Sequence, residues 1–306
     1  MSDKNNKKEY SAWFCFIALT FAIIFWASAY IAIRVAVREF EAGPLGLLRY
    51  GAAALVMLGI YIFIPNKTKL NLKDLVLIFI TGAIGIGFYN VLINQGEVSV
   101  PAGAASFIIA SMPVFSVLAA CFFLKEKISA LGVFGILISF FGIFLISFSE
   151  EQGAKVAHES LGSGIFFLLA AVFCAVFYGL MQKKLLKKFK AIELVCLSIF
   201  SAALIQIVFL PSLISELSRA SFLSISLGIY LGIFPAALAY LGYTIALTRF
   251  SMVKANTSLF IMPFLALLMG WVILGERLSL LGIMGGILAL LGPVLIHCVR
   301  LRKSKK

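Results

Sequence analysis

An all-α integral membrane protein is the fold class this sequence predicts: ten transmembrane helices, arranged as an inverted repeat of two five-helix halves. Three observations carry the prediction. Apolar residues make up 62% of the chain and charged residues 13%, against roughly 25% charged in a soluble domain. A soluble globule could not hide that surplus, whereas an apolar helix of about 20 residues spans a hydrocarbon core of about 30 Å. Apolar runs of that length recur ten times, and the chain repeats itself at an offset of 150 residues.

The spans run in order over 12–33, 44–64, 73–95, 102–124, 130–149, 161–182, 191–214, 222–247, 252–274 and 279–299. The first is long for a cleavable signal and leads into further spans, so it reads as retained. Links are short and punctuated, as in Ile64-Pro65-Asn66-Lys67, which leaves no room for a soluble domain. The expected organisation is a tail over 1–11, a first five-helix repeat over 12–149, an outer loop over 150–160, a second repeat over 161–299, and a basic tail over 300–306.

A net charge of +13 is a nucleic-acid footprint only where the bases form a stripe or patch. Here they lie between apolar runs. With the N-terminus on the cytoplasmic side, twenty of the 26 Lys and Arg fall on that side, five fall on the other, and Arg49 lies inside a span. Cytoplasmic loops carry such an excess, so both termini are expected in the cytoplasm, across a cytoplasmic (inner) membrane. Membrane lipid is then a partner and nucleic acid is not.

The repeat rests on identities between 105–142 and 255–292: Met112/Met262, Pro113/Pro263, Glu126/Glu276, Gly132/Gly282, Gly135/Gly285 and Gly142/Gly292 among them. Five spans per half is odd, so the second copy enters the membrane upside down. Secondary transporters reuse this plan, with a shared central site that opens to either side in turn.

With these motifs the chain resembles the drug/metabolite transporter superfamily, in particular its ten-helix EamA-type members. The resemblance rests on Met112-Pro113-Val114 through Leu124-Lys125-Glu126, on Met262-Pro263-Phe264 through Leu274-Gly275-Glu276, and on Phe25-Trp26-Ala27-Ser28 and Leu48-Arg49-Tyr50. It implies a secondary transporter of a small metabolite, an amino acid or related compound, with export ahead of import. Similar proteins also move nucleotide-like or sugar compounds, and a pore or a non-transporting sensor is the rival class.

A transport path needs polar or aromatic groups facing a cavity, since unsatisfied polar groups are costly in lipid. Helical spacing groups the candidates: Trp26 and Tyr30 on helix 1; Tyr89, Asn90 and Asn94 on helix 3; Tyr178 and Gln182 on helix 6; Tyr240 and Tyr243 on helix 8. Helices 1 and 6, and 3 and 8, are repeat mates, with the first-half set expected toward the outer side and the second-half set toward the inner. Ser106 and Asn256, at equivalent positions of helices 4 and 9, join the list. Several of these read equally as interface anchors. An aromatic lining suits a solute with a flat or apolar part.

Pro113 and Pro263 each remove a helical hydrogen bond and are candidate hinges, or static kinks. Arg49 either snorkels to the headgroups or pairs with a substrate carboxylate. Glu126 and Glu276, beside Lys127 and Arg277, read as structural ion pairs or caps. Gly228/Gly232 and Gly282/Gly286 permit close helix approach, which serves packing within the monomer as well as a homodimer. Glu97, Glu193 and Asp74 all fall near span ends, so a central membrane carboxylate is not expected. The five cysteines lack metal-ligand spacing, His158 and His297 are not placed for catalysis, and no Walker-type loop occurs. No cofactor, metal or enzymatic activity is therefore expected.

Overall fold

Helices account for the regular structure of the described residues, which in this computed structural model are 11–112, 114–115, 130–153, 158–186, 188–249, 258–276 and 279–304. In chain order they are α1 (Ala12–Ala36), α2 (Ala42–Ile62), α3 (Leu72–Glu97), α4 (Ala102–Ala110), α5 (Ala130–Gly153), α6 (His158–Leu185), α7 (Ala191–Leu217), α8 (Phe222–Ala246), α9 (Met262–Leu274) and α10 (Leu280–Ser304). By length and apolarity α1, α2, α3, α7, α8 and the Gly162–Gln182 stretch of α6 suffice to cross a membrane. Leu131–Ile146, Met262–Leu274 and Leu280–Gly292 are shorter apolar helices.

Local chemistry sets the helix starts. The Ser11 hydroxyl accepts from the Phe14 amide, and Ser221 accepts from Ser224 in the same way before α8. Asn71 and Asp74 cap α3 reciprocally. Each satisfies amides that a helix start leaves orphaned. At the end of α9, Gly275 adopts φ 69°, a left-handed conformation that costs glycine little.

Two expected boundaries move. The segment expected as an outer loop over 150–160 is helical at both edges, because α5 continues to Gly153 and α6 begins at His158. Part of the expected C-terminal tail belongs to α10, which continues to Ser304. Both extensions carry polar residues that an apolar count excludes but a helix tolerates.

Large apolar side chains stand on the exterior as well as in the core. Phe63, Leu55, Phe222, Leu280 and Val272 are largely exposed, while Leu45, Tyr50, Phe107 and Leu168 are fully buried. Exposed apolar surface of this extent marks contact with something other than water.

The helices pair across the chain: α5 on α10, α4 on α9, α2 on α7 and α8, α1 on α8 and α9, and α3 on α6 and α7. The α5–α10 contact is a close one. Gly142 faces Gly285, Gly135 faces Gly292, and the Ser139 hydroxyl donates to the Ala289 carbonyl at 2.8 Å. The two helices therefore cross antiparallel on bare backbone. Three of the other small-residue positions pack within the chain: Gly228 and Gly232 on Leu48 and Ala52 of α2, and Gly286 on Phe107 of α4.

Among the described residues three helices contain π-helical turns, at Ala83–Phe88 in α3, at Gly232–Leu238 in α8 and at Gly270–Leu274 at the end of α9. Given the 150-residue offset, the first two occupy matching places. Pro235 lies within the second, and a proline removes one ladder hydrogen bond, which a widened turn accommodates.

Candidate functional site

Gly85 in the π-turn of α3 borders a cavity of about 210 Å³ lined by α1, α2, α3, α4, α6, α8 and the start of α9. A water needs roughly 10–15 Å³ on this measure, so the space suits a solute of about a dozen heavy atoms.

Ten of the candidates named from the sequence line this cavity: Trp26, Tyr30, Arg49, Tyr89, Asn90, Ser106, Tyr178, Gln182, Tyr240 and Tyr243. The two helix sets expected toward opposite sides meet in one chamber. Trp26 lies 5.4 Å from both Tyr240 and Tyr243 between ring centroids, and Tyr178 meets Tyr240 edge-on at 6.4 Å. Such edge-to-face arrangements align the positive ring edge with the negative face. The Trp26 indole donates to the Pro235 carbonyl at 3.0 Å, which ties α1 to the π-turn of α8.

On the α3 side the Asn90 amide donates to the Tyr50 hydroxyl and to the Ile86 carbonyl, and its own carbonyl oxygen is buried without a partner among the described residues. The Gln182 amide donates to the Tyr178 hydroxyl at 3.1 Å, and Ser106 donates to the Gly103 carbonyl. Tyr178 approaches α3 because Gly85, in the π-turn, has no side chain: a β-carbon there would fall 2.7 Å from the tyrosine ring.

Arg49 corrects the snorkelling expectation. It is 5% exposed and lines the cavity, with its guanidinium carbon 5.5 Å from the centroid of the Tyr50 ring. Its Nε is buried without a hydrogen-bond partner, and no carboxylate pairs with it among the described residues. An inward-turned helix face has no path to the headgroups.

Asn94 lies outside the cavity lining. Its amide donates to the Ala42 carbonyl at 3.0 Å, so it fastens α3 to the start of α2. Pro263 is buried in the first turn of α9 and does not line the cavity either. Pro113 and Asn256 lie outside the described residues, as do Glu126, Lys127 and Arg277. Glu276 is an ion-pairing and capping residue, but its partner is Arg34 from α1 at 2.8 Å, together with the Ala102 amide at 3.2 Å.

Sequence reasoning missed the apolar lining, such as Ile33, Ile93, Met112 and Met262, because apolar residues on apolar helices carry no contrast. It also missed the π-turns, although Gly82, Gly85, Gly87 and Pro235 were a readable signal of backbone irregularity.

The model of the EamA-like transporter family matches this chain twice, over residues 13–148 and 162–298. The chain belongs to the EamA-like transporter family. It is 31% identical over 281 residues to an uncharacterized transporter, YdfC, of Bacillus subtilis, covering 92% of this chain and 90% of the relative. It is also 31% identical over 280 residues to a probable terminal-alkyne amino-acid exporter of Streptantibioticus cattleyicolor, covering 92% of each. A solved crystal structure matches with a TM-score of 0.62 at 16% identity, covering 94% of this chain and 98% of the other. That likeness concerns the fold alone. The EamA-like chain is thus a multi-pass membrane protein of a transporter family.

Proposed function

We propose that this EamA-like protein is a secondary transporter that carries an amino acid or similar small carboxylate, outward, through the cavity around Arg49, by alternating access of two inverted five-helix halves. The observation that carries the reading is a buried guanidinium facing an aromatic chamber without a carboxylate partner. A buried cation is costly unless paired, and a solute carboxylate supplies the pair, with the planar fork of arginine suited to bidentate contact. The rings of Trp26, Tyr178 and Tyr240 would hold the flat or apolar part, and the unpartnered Asn90 carbonyl oxygen complements an ammonium group. A relative named as a probable amino-acid exporter supports both the class and the direction.

The contact pattern supports the inverted halves. A two-fold axis that exchanges residue n with n + 150 turns the Gly142–Gly285 contact into Gly292–Gly135 and leaves Ser139–Ala289 on itself. The same operation exchanges the α1–α8 pairing with α6–α3. Because α5 and α10 are repeat mates that cross antiparallel, the axis lies across the helices, in the membrane plane. The distribution of Lys and Arg supports cytoplasmic termini in an inner membrane.

The test is counterflow in proteoliposomes with labelled phenylalanine, tryptophan, leucine and glutamate, each against its decarboxylated amine as competitor. Saturable exchange of at least one amino acid, insensitive to the amine and abolished by Arg49→Gln, is expected. Equal competition by the amine would remove Arg49 from its role as carboxylate partner.

A further inference from the structure

Three charged groups meet where α1 ends. Arg34 Nε donates to Glu276 at 2.8 Å, and its Nη1 donates to the carbonyls of Glu97 and Val98 at 2.6 and 2.8 Å. Glu276 also accepts from the Ala102 amide, so one carboxylate holds the last turn of α1 and the first turn of α4 together. This cluster adjoins the cavity lining along two helices: Ile33 lies one residue from Arg34, and Ile93 one helical turn from Glu97.

The third group is unused. Glu97 is fully buried, and neither carboxyl oxygen has a hydrogen-bond partner among the described residues. Charged and titratable groups face it from several elements: Tyr30 and Arg34 on α1, Arg49 on α2, Tyr89 on α3 itself, and Glu276 after α9. From α6, Gly164 and Leu168 pack on the adjacent Gly96, where a β-carbon would fall 2.6 Å from Leu168 Cγ, so the described contacts on that side are uncharged. An ionised carboxylate without a donor is among the costliest buried groups, whereas a protonated one is tolerated. The Arg34 guanidinium is committed to Glu276 but already rests on the backbone carbonyl of Glu97. Two carboxylates thus stand within reach of one arginine.

We propose that Glu97 is a proton-binding site that couples this transporter to a proton gradient by competing with Glu276 for Arg34. Protonated, Glu97 leaves Arg34 on Glu276 and α1 held to α4. When the proton leaves to water, the Glu97 carboxylate draws Arg34 away, the Ala102 amide loses the acceptor that Arg34 helped to position, and α1 and α4 part. The coupling rests on the carrier reading above, but the switch itself requires no solute.

Hydrogen exchange of the purified full chain in nanodiscs tests it without any substrate, so a failed flux screen and a failed switch remain distinguishable. Uptake by peptides covering 30–40 and 97–108 is followed between about pH 5 and pH 8 and corrected for intrinsic exchange. A tenfold difference in proton affinity between closed and open forms gives, by linkage, about a tenfold rise in corrected exchange across the titration. Glu97→Gln, permanently neutral, is expected to stay protected at all pH values, and Glu276→Gln to exchange fast at all pH values. Glu97→Asp keeps the acid and the pH step, which guards against a misfolded glutamine variant. Corrected exchange that ignores pH in the native chain, or rises equally in Glu97→Gln, overturns the proposal.

Discussion

Replacing Gly142 with alanine attacks the backbone crossing of α5 and α10. A β-carbon at that position would stand 2.5 Å from the Gly285 carbonyl oxygen and 2.8 Å from Ala289 Cα. Both neighbours are backbone, so no rotamer change makes room, and α5 and α10 must separate by about 1 Å to restore van der Waals distance. A gap of that size forfeits a quarter to a half of each dispersion well of about 0.15 kcal/mol. Over roughly 40 atom pairs the loss is about 2 kcal/mol, against about 1 kcal/mol gained when alanine replaces glycine in a helix. Gly59→Ala in α2, where nothing lies within 4 Å, keeps the gain without the clash. Thermal stability in detergent, followed by fluorescence-detected size exclusion, should therefore rank Gly59→Ala above Gly142→Ala by about 2 kcal/mol. Gly292→Ala should match Gly142→Ala, because its β-carbon meets the Gly135 carbonyl and Ser139 in the exchanged contact. If Gly142→Ala is as stable as Gly59→Ala, the bare-backbone crossing is not what holds these helices together.

Trp26→Phe removes the indole donor to the Pro235 carbonyl and should cost about 1 kcal/mol of thermal stability, with the aromatic face kept; Trp26→Ala should cost more. Glu193 accepts from the Thr68 amide and hydroxyl, at 2.8 and 2.7 Å. Glu193→Ala should thus loosen the link between α2 and α3 and raise proteolysis within 63–71. The Glu39 carboxyl is held below its ordinary range, first by the Ser221 amide and then by the Ser221 hydroxyl. A depressed folded value means stability that is present above the ordinary carboxylate range and lost as pH falls through the folded value. Glu39→Gln should flatten the acid side of a melting-temperature profile, and an unchanged profile would show that this surface link carries nothing. Arg49→Lys keeps the charge without the fork and should weaken solute binding in the counterflow assay by about tenfold, less than Arg49→Gln.

Apolar runs, the 150-residue echo and the skew of Lys and Arg are properties of the chain read in one dimension. The membrane class followed from them alone, since lipid selects for span length and composition before any contact forms. Polar and aromatic residues stand out against apolar helices, so Trp26, Tyr178 and Tyr240 could be named as path candidates by spacing. Burial could not be read that way. Arg49 and Asn94 differ only in which face their helices turn toward neighbours, and that is settled by packing against α8 and α2. Arg34, Glu97 and Glu276 are far apart in sequence, and each looks like an interfacial charge at a span end. Only the meeting of α1, α3, α4 and α9 makes them one cluster, because helix ends distant along the chain become neighbours when the halves interlock.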